Sequence, residues 1–215
     1  MKILALEFSS PQRSVAVANG DGQPIEIIET GDNRTQAFAM IEAALREAKL
    51  EREQIECIVI GLGPGSYTGI RAALSIAQGW QLGREVKLLG ISSVEAIAEE
   101  ARAQEVYGYV NVIVDAQRNE LYRAIYTISA DRCDEMSPLR ILARSEILTP
   151  PGVEEEFVGP EVTRWFDSGK VLFPRAAMLV QMAGKRTDFR PGETIEPIYL
   201  RETNFVKAPP LRIIS

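Results

Sequence analysis

The apolar positions in the first half of the chain follow two patterns, short continuous runs and a 3.6-residue repeat, which predict strands and helices respectively. Three short runs separated by turn residues predict a meander of strands at the N-terminus. From residue 34 onward the apolar residues fall on one helical face, with Asp32 or Asn33 as the N-cap. The predicted elements are strands at 2–8, 14–18, 24–29, 56–60 and 86–91 and helices at 34–49, 70–80 and 92–104.

The second half repeats this order of strands followed by helices. Its predicted elements are strands at 109–115, 120–128 and 140–144 and helices at 161–168 and 174–185. Beyond Gly184 the pattern lacks a clear period, which predicts an irregular tail. Because both halves open on strands and then add helices, we expect a duplicated unit, divided into domains at 1–105 and 106–215.

Composition narrows the function classes. The chain has 215 residues, of which 46% are hydrophobic and 25% charged, as in ordinary globular proteins. Its net charge of −6 repels phosphate backbones, which argues against autonomous nucleic-acid binding. No apolar run approaches the roughly 20 residues of a membrane span, so we expect a cytoplasmic protein without a membrane partner. Cys57 and Cys133 lack the spacing of a disulfide framework or a zinc site.

The chain contains no histidine. This absence excludes a Ser-His-Asp or Cys-His catalytic apparatus and the HExxH and HxxxH metal sites. A general base acting near neutral pH would have to be a perturbed carboxylate, lysine or cysteine. The composition therefore predicts no metal site and disfavours hydrolytic chemistry.

A glycine-rich segment, GLGPGSYTG at 61–69, follows a predicted buried strand and precedes a predicted helix. Such a loop can cradle a phosphate against helix N–H groups. However, it lacks the lysine of a P-loop, and Ser66 stands where the third Rossmann glycine belongs. The alternative is a rigid turn in which Ser66 or Thr68 caps the helix. Both interpretations remain open at this point.

As a whole string, GLGPGSYTGIRAALSIAQGW at 61–80 resembles the signature of the TsaB (YeaZ) family, whose members typically carry GPGSFTGLR before a helix of small residues. Four further segments match the family in order: ILALEFSSPQRSVAV, GISSVEAIA, DAQRNELY and EPIYLRE. The resemblance covers residues 3–201.

The resemblance implies an α/β, two-lobed actin/Hsp70/sugar-kinase-like (ASKHA) fold built from two RNase-H-like domains. It also implies a role in making threonylcarbamoyladenosine at position 37 of tRNA, as a scaffold that binds and activates the paralogue TsaD. TsaD carries the metal and the catalysis, and a TsaE-type ATPase joins the complex. On this basis we expect no catalytic activity from the chain alone, a homodimer in isolation, and tRNA contact only through the complex. No tightly bound cofactor is expected, and ATP with magnesium is expected only in the assembled complex.

The family uses its two N-terminal helices to form a helical bundle with TsaD or with a second copy. The residues that this assigns to the partner interface are Ala37, Phe38, Met40, Ile41, Ala44, Ala72, Ala73, Ile76 and Trp80. For all of them, burial in the chain's own core is the alternative interpretation. Arg201 is interpreted either as a contact to a partner or tRNA or as a surface salt bridge.

A rival hypothesis is a phosphotransferase of the same fold with nucleotide in the interlobe cleft. Its candidate nucleotide-binding residues are Glu7, Ser9, Ser10, Gly63, Gly65 and Ser66. The chain departs from the family here, since Glu7 and then Phe8 stand where a first-strand Asp is usual, and 33–36 replaces an R-x-HSE-x-L segment. A second rival is a peptidase that cleaves its partner, but Ser66 has no lysine nearby in sequence to serve as base.

Overall fold

Two five-stranded sheets with the same connectivity form the framework of the protein. The computed structural model describes residues 1–20, 22–31, 36–147 and 154–201. The first sheet has the order β3-β2-β1-β4-β5, and its strands are β1 (Lys2–Glu7), β2 (Gln12–Asn19), β3 (Ile25–Thr30), β4 (Cys57–Gly61) and β5 (Lys87–Ile91). The second has the order β10-β9-β6-β7-β8, with strands β6 (Gly108–Asp115), β7 (Glu120–Ile128), β8 (Cys133–Ala143), β9 (Glu155–Gly159) and β10 (Lys170–Val171).

In each sheet the first three strands run antiparallel to their neighbours, and the last two run parallel to the first. Numbered from its own first strand, the second sheet therefore repeats the order 3-2-1-4-5 of the first. This repetition confirms the predicted α/β fold of two related units.

Among the described residues, four α-helices cover the sheets: α1 (Ala37–Glu47), α2 (Tyr67–Gly83), α3 (Ser93–Ala103) and α4 (Ala176–Ala183). One face of the first sheet packs against α1 and α2, and the opposite face packs against α4. Helix α3 lies between the sheets, because Ala96 joins the core beside α4 while Val94 and Ile97 pack on the second sheet. Although α4 follows the predicted boundary at residue 105, it packs on the first sheet; that boundary stays a prediction.

The hydrophobic pattern misplaced two elements. The predicted helix at 161–168 is wrong: this segment holds a short 3₁₀ helix, Val162–Arg164, before β10. Its spaced apolar residues, Val162, Trp165 and Phe166, pack together against the second sheet without forming an α-helix. The hydrophobic pattern also gave no strand at 155–159, where Glu155 and Glu156 begin β9.

Strands β9 and β10 were not predicted, and β8 is far longer than 140–144; the remaining α-helices and strands agree with the prediction to within a few residues. Helix α1 begins at Ala37 with Gln36 as N-cap, and the predicted caps Asp32 and Asn33 lie outside the described residues. Three further parts of the prediction lie outside the described residues: most of segment 33–36, Glu202 of the EPIYLRE match and the end of the predicted irregular tail. Within the described part of the chain, no helix has the length and hydropathy to cross a membrane.

Candidate functional site

The carboxyl ends of the central strands of both sheets meet at a cleft with a cavity of about 530 Å³. This edge is where open α/β sheets usually place ligands. The lining comes from the segments that follow β1, β4, β6 and β9, and from the C-terminal segment. It includes Ser9, Ser10, Pro64, Gly65, Ser66, Tyr67, Thr68, Asp115, Ala116, Gln117, Pro160, Glu161, Tyr199 and Arg201.

Glu7 ends β1 with its carboxylate inside the protein and 0% exposed. One oxygen accepts a hydrogen bond from the Ser9 N–H at 2.8 Å, and the other accepts from the Ser93 hydroxyl at 2.8 Å. Gly61 leaves room for the group, since a Cβ there would lie 1.9 Å from Glu7 Oε2. Burial raises the pKa of Glu7, although its hydrogen bonds act in the opposite direction. Glu7 therefore links β1, β4 and the start of α3 and does not line the cleft.

Two N–H groups of the glycine-rich turn donate to acceptors elsewhere in the protein. Ser66 N–H donates to Ser9 O at 2.7 Å, and Gly63 N–H donates to Ser93 Oγ at 3.1 Å. Of the two cap candidates, Ser66 is the N-cap of α2, and its hydroxyl accepts a hydrogen bond from Gly69 N–H at 3.3 Å. These bonds support a rigid turn, and they occupy two of the donors, Gly63 N–H and Ser66 N–H, that a phosphate cradle could use.

Two glycines of the turn are required by close backbone approach. A Cβ on Gly65 would lie 2.0 Å from Ser9 O, and one on Gly69 would lie 2.0 Å from Phe8 O. Gly65 also has φ +148°, which side chains rarely adopt. The turn is thus packed onto the loop that follows β1, which accounts for its composition without a ligand.

The six candidate nucleotide-binding residues lie close together, but only four of them line the cleft. Those four are Ser9, Ser10, Gly65 and Ser66. Glu7 and Gly63 are buried behind them, so their assignment to the cleft surface is corrected. The reason is the alternation along β1, which turns Glu7 toward α3 together with Ile3 and Ala5.

Asp115 and Glu161 form an acidic wall on the opposite side of the cleft, and sequence reasoning missed Glu161. Asp115 ends β6 and accepts a hydrogen bond from Gln117 N–H at 2.6 Å. Burial raises the pKa of the nearby Glu161, and the charge of Asp115 raises it further. In the described structure no hydrogen-bond partner reaches Glu161 Oε2. Arg164 Nη1 lies 3.4 Å from Asp115 Oδ2, so its positive charge offsets part of the negative charge of this wall. The position of Glu161 could be recognised only once β9, which ends at Gly159, was known.

The candidate interface residues separate into core and surface positions. Met40, Ile41, Ala44 and Ala73 are buried among the residues between α1, α2 and the first sheet. These four are corrected from surface to core positions, because they form the inward stripes of their helices. Ala72 and Phe38 are exposed, Phe38 by 54%, whereas Ala37, Ile76 and Trp80 are half-buried.

The outer face of α2, formed by Ala72, Ser75, Gly79 and Leu82, is open to solvent. Leu82, which sequence reasoning missed, is 91% exposed. In its 17 residues α2 carries one charge, that of Arg71, whereas the solvent face of a helix usually carries several. A Cβ on Gly79 would meet nothing within 4 Å, so another helix could approach closely.

Comparisons with known proteins identify the family. A family model for TsaD, tRNA N6-adenosine threonylcarbamoyltransferase, matches residues 33–192. The chain is 29% identical to the tRNA threonylcarbamoyladenosine biosynthesis protein TsaB of Escherichia coli, over 94% of this chain and 95% of that protein. It is 26% identical to the TsaB protein of Haemophilus influenzae, over 97% and 98% of the two chains. The chain belongs to the TsaB (YeaZ) family.

A solved structure supports the fold of this TsaB-family chain. The YeaZ structure from Pseudomonas aeruginosa superposes with a TM-score of 0.80 at 23% identity, over 93% of this chain and 99% of that one. At this identity the likeness shows the fold alone. Within the described residues, no group of three or more cysteine or acidic side chains is arranged to hold a metal ion.

The buried carboxyl of Glu7 predicts a pH effect on stability. Because its pKa is raised above the ordinary 4.5, its stabilising contribution is complete below that value and is lost as pH rises through the folded-state pKa. The substitution Glu7→Gln keeps the shape of the side chain and removes the titratable carboxyl group. We expect the free energy of unfolding of the wild type to fall relative to that of the variant between pH 4.5 and neutrality. Urea unfolding of both proteins across this range measures the difference, and parallel pH profiles would contradict the assignment.

Proposed function

We propose that this chain is a non-catalytic scaffold subunit of the system that makes threonylcarbamoyladenosine at position 37 of tRNA. It binds a TsaD-type catalytic subunit and holds it in its active conformation. Family membership and the names of the curated relatives support the pathway. The observation that carries the scaffold role is the nearly uncharged, exposed outer face of α2, which lies on the same layer as Phe38 of α1.

The chemistry of the cleft favours a scaffold over an enzyme. Glu7 is buried in a hydrogen-bond network, and Ser66 caps α2 with its hydroxyl. The hydroxyl of Ser10 donates to Gln12 O at 2.6 Å. These groups already have protein partners, so none of them is poised as a nucleophile or general base. For the peptidase alternative, Ser66 lacks the activated hydroxyl that the reaction needs.

The proposal includes the rest of the assembly. A TsaE-type ATPase joins the complex, tRNA is contacted through the complex, and the chain forms a homodimer through the same helices when alone. ATP with magnesium binds in the assembled complex and not tightly to the isolated chain. Localisation in the cytoplasm follows from this role. Since homodimer and heterodimer share the outer face of α2, the two associations compete.

Reconstitution tests the proposal directly. The chain is combined with the TsaD-type and TsaE-type proteins of its own organism, tRNA and a threonylcarbamoyl donor, and the modified nucleoside is measured by mass spectrometry. We expect product from the full set, and none from the chain alone or from the set without it. Full activity in its absence would overturn the scaffold role.

A phosphotransferase remains the second candidate, favoured by the cavity between the two sheets and by the acidic groups Asp115 and Glu161 on its wall. Calorimetry of the isolated chain with millimolar ATP and magnesium separates the two functions. The scaffold proposal predicts no detectable heat of binding. Binding in the micromolar range, abolished by substitution of Asp115, would support the enzyme instead.

A further inference from the structure

The described C-terminal segment connects three parts of the protein. After α4 the chain follows the edge strand β5, where Arg190 N–H donates to Leu88 O at 3.0 Å. It then contacts α2, since Gly192 N–H donates to Gln81 Oε1 at 2.8 Å and Gln78 donates to Gly192 O at 2.9 Å. Ile195 is buried in the core between α2 and the first sheet. The segment is thus anchored firmly to the first sheet before it reaches the cleft.

Its last four described residues, 198–201, cross from the first sheet toward the second. Ile198 N–H donates to Leu62 O at 2.9 Å, which fixes the start of this crossing beside β4. Ile198 and Leu200 line a cavity of about 400 Å³ together with Tyr126 of the second sheet. Tyr199 and Arg201 instead line the cleft. This alternation is that of an extended segment with one side toward each cavity.

On the cleft side, Tyr199 contacts the first turn of α2. Its ring stacks on Tyr67, with centroids 5.5 Å apart and an interplanar angle of 29°. Arg71 lies 5.1 Å from the centroid of the Tyr67 ring and donates to its hydroxyl at 2.6 Å. Stacking and cation–π contacts of this kind are geometrically specific. Tyr199 therefore joins the crossing segment to the helix that presents the proposed partner surface.

Two residues further on, Arg201 contacts the second sheet. Its guanidinium donates to Ala116 O at 2.8 Å and to Glu120 at 2.6 Å, in the turn between β6 and β7. The salt-bridge interpretation of Arg201 is thereby confirmed, and its partner lies across the cleft from α2. Both side chains of the pair are about one-third exposed, so the bond can open without disturbing a core.

We propose that residues 198–201 act as a clasp that sets the opening of the cleft and couples it to the first turn of α2. Tyr199 stacks on α2, and Arg201 forms hydrogen bonds to the β6–β7 turn. Ile198 holds the segment beside the end of β4 through its hydrogen bond to Leu62 O. Movement of one sheet relative to the other must break or strain the Arg201 bonds. Contact of a partner with α2 therefore biases the opening of the cleft. This link to a partner rests on the proposed function, whereas the clasp itself does not.

The clasp is tested first on the isolated chain. Nitroxide labels are placed by Asn19→Cys, at the end of β2 in the first sheet, and by Asp167→Cys, in the loop before β10 of the second sheet. Both positions are exposed. The background is Cys133→Ser, and Cys57 is fully buried. Double electron–electron resonance spectroscopy then gives the distribution of distances between the two labels, which reports on the separation of the sheets. Arg201→Ala and Tyr199→Ala are each expected to lengthen and broaden it. Arg190→Ala is the matched control, because it removes an exposed arginine of the same segment outside the clasp.

Thermal unfolding distinguishes a released clasp from a damaged fold. The melting temperature of each variant is expected to stay near that of the wild type, because Tyr199 is 45% exposed and Arg201 lies at the surface. A distance distribution identical to that of the wild type in both variants would overturn the clasp. Equal broadening in Arg190→Ala would overturn it as well, since the effect would then be unspecific.

A second measurement tests the coupling to α2. Association of wild type and Tyr199→Ala with the TsaD-type subunit is compared by calorimetry, and we expect binding about fivefold weaker in the variant. Equal affinities would overturn the coupling. Failure of the wild type to associate would instead refute the proposed function, and the distance measurement would still decide the clasp.

Discussion

Ala72→Arg is expected to weaken association with the TsaD-type subunit about 100-fold, or about 2.7 kcal/mol. Ala72 is exposed on the outer face of α2, where the proposed interface would bury a guanidinium with no acidic partner on the same helix. An unpaired charge in a desolvated contact is strongly unfavourable. The fold itself should tolerate the change, since the side chain points into solvent and arginine is a good helix former. Calorimetry or analytical ultracentrifugation measures the loss, together with a melting curve.

The control for this prediction is Ala103→Arg. Ala103 is also an exposed helical alanine, at the end of α3 and away from the proposed surface. The same added bulk and charge there should leave association unchanged. Equal weakening by both variants would point to a general charge effect, and no weakening by Ala72→Arg would exclude the outer face of α2 from the interface.

The inward and outward stripes of the two helices show what the sequence could predict. Periodicity did not separate the two stripes of α2: Ala72 and Ala73 were both assigned to the interface, but Ala73 is buried with Ile70 and Leu74, whereas Ala72 is exposed. It could not say which apolar residues remain free for a partner, because core and interface use the same side chains. In α1 the single apolar stripe packs against the first sheet and is buried there. Only the three-dimensional packing leaves Phe38 outside.

The position of Glu7 could have been predicted from strand alternation alone. Leu4, Leu6 and Phe8 point to the helices α1 and α2, so the odd-numbered Glu7 must point to the opposite face. Its partner Ser93, in contrast, is 86 residues away, and no local rule pairs them. The same holds for β9: its short apolar stretch, Phe157 and Val158, becomes a central strand only because β6 offers a parallel edge.

The glycine-rich turn illustrates that one sequence motif is compatible with two different structural roles. Its composition suggested a phosphate cradle, whereas the structure uses the glycines to bring the start of α2 against the loop after β1. The same contacts fix the direction of α2 and therefore of its outer face. In this chain the turn thus contributes to the proposed function indirectly, because it positions the helix that carries the proposed partner surface.

Gly65→Ala is accordingly expected to destabilise the protein by about 3 kcal/mol or more, since it combines a disfavoured backbone conformation with overlap against a main-chain atom. The new Cβ would lie 2.0 Å from Ser9 O, and φ at this residue is +148°. For a chain of this size, the melting temperature should fall by about 10 °C. Gly79→Ala is the matched control: it meets nothing within 4 Å and should stabilise α2 by about 0.5–1 kcal/mol. An unchanged melting temperature for Gly65→Ala would contradict the described packing of the turn. Because Gly79 lies on the outer face of α2, where a partner helix would approach closely, Gly79→Ala should bind the partner more weakly even though it stabilises the helix.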